Sequence, residues 1–152
     1  MDKNTFYQSL NQQAQGLISG ETNVIANMAN ISALLFMSLE HINWAGFYLV
    51  DSDSELVLGP FQGKPACIRI PMGKGVCGTA AALDETQLIA DVHQFDGHIA
   101  CDAASNSEIV IPVHKSGKVV AVLDIDSPQL SRFDLEDQQG LEALIRLFEQ
   151  QL

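Results

Sequence analysis

Basic residues are scarce: eight Lys plus Arg stand against nineteen Asp plus Glu in 152 residues, for a net charge of -11. That leaves no positive footprint for a phosphate backbone or an anionic lipid surface, so neither nucleic acid nor membrane is an expected partner. Long apolar runs are missing as well. The longest fall far short of the ~20 residues a membrane helix needs, and residues 1–4 open no secretory signal pattern. A cytoplasmic protein is expected. Cysteine is limited to Cys67, Cys77 and Cys101, an odd number with no C-x-x-C pair. This argues against a structural disulfide framework and against the usual zinc-ligand spacing, and leaves reactive or buried thiols. Internal repeats, low-complexity tracts and interdomain linkers are also absent.

What is there fits one domain spanning residues 1–152: 47% hydrophobic and 18% charged residues can build a core without staples. The acidity is uneven. Residues 1–76 hold six acids against four bases, whereas residues 77–152 hold thirteen against four, an asymmetry that needs a cause.

Polar-apolar periodicity predicts helices over residues 4–18 and 22–40, the second with Val24, Met28, Ile31, Leu35 and Leu39 on one stripe. Residues 44–50 and 55–61 read as a hairpin around Asp51-Ser-Asp-Ser54, and residues 66–70 as a third strand. A short alanine-rich helix over 79–83, a strand over 87–92 and a loop over 93–107 follow. That loop holds His93, Asp96, His98, Cys101 and Asp102, and loops of such length are usually functional or mobile. Two strong strands, 107–114 and 118–126, flank Lys115-Ser-Gly117, and Asp134 caps a last helix reaching about Gln150. The fold class is α+β, a central antiparallel sheet with N- and C-terminal helices packed on it.

Gly73-Lys-Gly-Val-Cys-Gly78 matches the G-x-G-x-x-G string, but its helix is too short for a βαβ crossover and no parallel repeat follows; a tight turn is the simpler reading. Cys77, at the start of that helix, is placed to gain thiolate character from the helix dipole. The carboxylates are more informative. Alternation along residues 119–126 puts Asp124 and Asp126 on one face with Val120 and Val122. With a three-residue loop, His114 pairs with Lys118 and Glu108 falls opposite Asp124; a two-residue loop puts Glu108 on the wrong face. Three clustered carboxylates need solvent, a bound cation or a shared proton. A solvated strand end is one reading, and a pocket for an ammonium group the other.

Over residues 43–144 the chain resembles the free methionine-(R)-sulfoxide reductases, which are built on the GAF fold. The resemblance rests on Asn43-Trp-Ala-Gly-Phe-Tyr48, Leu58-Gly-Pro-Phe-Gln-Gly-Lys-Pro-Ala-Cys67, Gly73-Lys-Gly-Val-Cys-Gly-Thr79, Asp91-Val-His93, Gly97-His-Ile-Ala-Cys-Asp-Ala-Ala-Ser105, Ser107-Glu-Ile109 and Leu123-Asp-Ile-Asp-Ser127. It implies a single GAF-like catalytic domain with Cys101 as nucleophile, Cys67 as main resolving thiol and Cys77 as an auxiliary one. It assigns Glu108, Asp124 and Asp126 to an acidic substrate pocket and Trp44 and Tyr48 to its aromatic residues. Free methionine-(R)-sulfoxide as substrate, thioredoxin as reductant and no metal or organic cofactor are implied with it. A homodimer is compatible with the long terminal helices. The competing readings are a non-catalytic GAF module binding a small ligand, for which 152 residues leave no room for an effector, and a thiol redox sensor.

Overall fold

In the computed structural model, which describes residues 1–97 and 104–152, the chain runs α1 (Lys3–Ile18), α2 (Val24–Ser38), β1 (Trp44–Ser52), β2 (Glu55–Gly63), β3 (Arg69–Pro71), α3 (Gly75–Leu83), β4 (Gln87–Ile89), β5 (Ser107–Lys115), β6 (Lys118–Ser127) and α4 (Leu135–Glu149). Short polar side chains fix the helix starts. Asp2 accepts from the Thr5 amide at 2.7 Å and Asn23 from the Ala26 amide at 2.9 Å. Asp134 and Asp137 form a reciprocal capping box. Asn23 therefore starts α2 later than residue 22, and α3 begins inside the glycine run rather than at Thr79. The predicted strand over 87–92 stops at Ile89 because the Asp91 side chain accepts from the His93 amide at 3.0 Å and turns residues Val92–Gln94 into one helical turn. Residues 66–68 likewise stay outside β3.

The strands form one antiparallel sheet in the order β3-β2-β1-β6-β5-β4. Among the described residues no strands pair in parallel, so the glycine string is a turn leading into the first turn of α3 and not a dinucleotide-binding crossover. One face of the sheet, with Phe47, Ile109, Leu123 and Ile125, packs against α1, α2 and α4. The other face, with Trp44, Tyr48, Val110 and Val122, packs against α3 through Val76, Cys77, Ala80 and Ala81. Period-2 alternation from Ala121 onward in β6 separates these layers, whereas Val120, expected on the acidic face with Val122, packs with the helical layer because a bulge interrupts the alternation there.

The β5–β6 register differs from expectation. The loop has two residues, Ser116 and Gly117, both left-handed (φ 53° and 78°), and Lys115 pairs with Lys118. Taken alone this turn would send Glu108 to the helical face. A bulge corrects it: His114 pairs with Val119 and Val113 with Ala121, leaving Val120 as the extra residue. Glu108 thus pairs with Asp126, not Asp124, and Asp124 pairs with Val110.

Candidate active site

Four elements meet at the acidic face. β5 supplies Glu108, β6 Asp124 and Asp126, α3 Cys77, and β1 the rings of Trp44 and Tyr48. Glu108, Asp124 and Cys77 are 7%, 6% and 5% exposed; Asp126 is half-buried. Cys77 Sγ lies 4.0 Å from Glu108 Oε2, and one atom from each of Cys77, Glu108 and Asp124 falls within a 4.8 Å group. Across the ladder Gly46 faces Asp124 and Trp44 faces Asp126. Gly46 is glycine for a steric reason as well: a Cβ there would sit 2.2 Å from Phe61 Cβ and 2.7 Å from its Cα.

The aromatic wall is a stack. Trp44 stacks on both Phe61 and Tyr48, at centroid distances of 5.0 and 5.9 Å with interplanar angles of 15° and 23°. Its indole Nε1 donates to the Lys64 carbonyl at 3.1 Å, and the Tyr48 hydroxyl donates to the Cys67 carbonyl at 2.9 Å. The segment bearing Cys67 is thereby tied to the wall.

Burial dominates the electrostatics. Desolvation, then the neighbouring Asp124 and Asp126, push the Glu108 carboxyl well above the ordinary carboxylate range. Desolvation followed by Asp124, Glu108 and Asp126 pushes the Cys77 thiol up in the same way. This overturns the expectation of a thiolate there. The dipole of a nine-residue helix is outweighed by a buried site with three carboxyl groups around it. Desolvation and Asp124 also raise Tyr48 and keep its phenol protonated.

A GAF-domain profile matches residues 30–150. The free methionine-R-sulfoxide reductase of Escherichia coli K12 is 57% identical over 152 residues, covering 100% of this chain and 92% of that protein. Among solved structures, fRMsr of Staphylococcus aureus in complex with substrate superposes with a TM-score of 0.92 at 55% identity, covering 96% of this chain and 95% of the other. The enzyme from Neisseria meningitidis, a free methionine-R-sulfoxide reductase also in complex with its substrate, gives 0.95 at 43% identity and covers 99% and 90%. The chain belongs to the free methionine-R-sulfoxide reductase family, on the GAF fold.

Of the site residues that family resemblance implied, Trp44, Tyr48, Cys77, Glu108, Asp124 and Asp126 come together here. Cys67 joins them through the Tyr48 hydroxyl. Cys101, His98 and Asp102 lie outside the described residues. Sequence reasoning missed Phe61 and Gly46. The signal was present in the pairing of the two aromatic strands, where an inward Phe demands an empty position opposite it. Cys77, Glu108 and Asp124 are also the set that could hold a divalent cation. Doing so would require loss of a thiol proton that burial retains.

Proposed function

We propose that the protein reduces free methionine-(R)-sulfoxide to methionine. What carries this reading is Glu108: a carboxyl kept protonated by burial and by two acidic neighbours, beside an aromatic wall. A sulfoxide is reduced by a thiol when a thiolate attacks sulfur while the oxygen receives protons. Cys101 supplies the attacking sulfur and Glu108 the proton. Asp124 and Asp126 offer negative charge to the substrate ammonium, and the stacked rings offer an apolar surface to its thioether end. A closed acidic pocket that reads a free ammonium excludes a residue inside a peptide chain.

The Cys101 thiol takes the sulfoxide oxygen and becomes a sulfenic acid as methionine leaves; the Cys67 thiol then condenses with it, giving a disulfide and water. The dithiol of thioredoxin returns both thiols by exchange. Cys67 is disulfide-bonded whereas Cys77 is a buried free thiol, which supports Cys67 as the main resolving residue with Cys77 as the auxiliary one. Such chemistry belongs in a reducing compartment such as the cytoplasm. Among the described residues no helix is long and apolar enough to cross a membrane.

The test supplies each sulfoxide epimer, free and in a peptide, with a thioredoxin recycling system and follows reductant consumption. Turnover is expected on the free R epimer alone. Its absence there, or its survival in Cys101→Ser, rejects the assignment and leaves a sensor role.

A further inference from the structure

The chain between β2 and β3 carries Cys67 outside the sheet ladder, since β2 ends at Gly63 and β3 begins at Arg69. Two carbonyls of this stretch are held by side chains of β1: Lys64 O by Trp44 Nε1 at 3.1 Å and Cys67 O by the Tyr48 hydroxyl at 2.9 Å. Both anchors are rigid. Each ring is 2% exposed, the two stack on one another, and β1 is paired on both sides, with β2 and β6. The phenol next to Asp124 keeps its proton and remains a donor. One ring therefore faces the acidic cluster and grips the main chain of the resolving cysteine.

Resting on the reductase reading above, we propose that Tyr48, assisted by Trp44, is a positioning residue for the recycling step, holding the Cys67 backbone so that its sulfur stays aimed at the oxidised nucleophile. In that step Cys67 Sγ attacks the sulfenic sulfur of Cys101. The S–S bond forms, the S–O bond breaks, and the hydroxyl leaves with the thiol proton as water. No further reductant or oxidant is needed. Attack requires the two sulfurs within roughly 3–3.5 Å in line; the Leu58 amide holds the Ile68 carbonyl at 2.9 Å just beyond Cys67, and the two side-chain bonds extend that hold back through Cys67 to Lys64. The tether exists in a structure whose Cys67 is disulfide-bonded, so the held position is compatible with the bond it serves.

Tyr48→Phe keeps the ring and removes the donor. In a single turnover on the free R epimer, methionine release reports sulfoxide reduction, and a sulfenic-acid trap with mass analysis reports the second step. In the variant, the ratio of the disulfide-formation rate to the sulfoxide-reduction rate is expected to fall about tenfold below wild type. Trapped Cys101 sulfenic acid then builds up as it does in Cys67→Ser. Trp44→Phe is expected to shift the ratio in the same direction and carries the test if Tyr48→Phe fails to fold. An unchanged ratio, including equal slowing of both steps, overturns the proposal. Failure of the wild type to release methionine refutes the reductase reading itself.

Discussion

Glu108 acquires its chemistry from where it sits. An exposed glutamate at a strand end would be ionised at neutral pH; at 7% exposure, paired with Asp126 and beside Asp124, it is held well above the usual range. Glu108→Gln keeps the shape and removes the transferable proton, so sulfoxide reduction should fall by about 10²–10⁴. Stability should move the other way. A native-state pKa above the unfolded one means that the folded protein binds more protons, so this contribution is complete below pH 4.5 and is lost as pH rises toward the raised value. Glu108→Gln should therefore show a higher Tm than wild type at neutral pH, with the gap closing on acidification. Cys77 makes the contrasting prediction. Its thiol is buried and pushed up by the same carboxyl groups, so iodoacetamide at neutral pH should modify it at least ~100-fold more slowly in the native protein than after unfolding, read by mass analysis. Its sequence position suggested the opposite, because a dipole is legible from a helix start whereas burial is not.

At the level of elements, helix caps and strand alternation were readable because both are local. Asp134 begins its helix as expected, and Asp124 and Asp126 share a face with Val122, whereas the caps Asp2 and Asn23 lie outside and inside the expected helix bounds. Contacts between elements were not readable, and Gly140 shows why. It lies within α4, where glycine lowers helix propensity by about 1 kcal/mol relative to alanine. Yet a Cβ there would meet the Tyr7 ring of α1 at 2.2–2.6 Å. Tyr7 donates to Asp137 at 2.7 Å, and Asp137, 1% exposed, also accepts from Lys3 at 2.6 Å. Gly140→Ala should thus destabilise by a net ~1–3 kcal/mol despite the propensity gain, seen as a lower Tm by circular dichroism. A raised Tm would mean that α1 has room to move away from α4.

For the whole molecule the acid–base groups set a direction for stability. His114 joins three elements, bonding Asp84 at 2.5 Å and Glu149 at 3.0 Å. Burial opposes its charge, but those two bonds together raise its pKa, so its contribution is complete below pH 6.5 and lost above the raised value. Glu108 adds a loss on the same side. On the acid side, the Lys3 bond first, aided by the Asp137 amide, brings Asp134 down to about 2; that contribution is present above pH 3.8 and lost as pH falls to 2. Net charge shrinks from -11 toward zero near pH 4.5, easing self-repulsion. A thermal scan across pH should therefore give a higher Tm at about pH 5 than at about pH 8, and His114→Gln should flatten the limb above neutrality. A maximum at pH 8 would contradict this. The sequence by itself determined which residues carry charge and sulfur, where the last helix begins and that Val122, Asp124 and Asp126 share a face, since all of these follow from neighbours along the chain. Tertiary structure alone decided the rest. The Val120 bulge restored Glu108 to the acidic face after a two-residue turn, and the protons on Glu108 and Cys77 depend on desolvation and on charges brought from residues 77, 108, 124 and 126. Protonation follows distance in space, which no local pattern encodes.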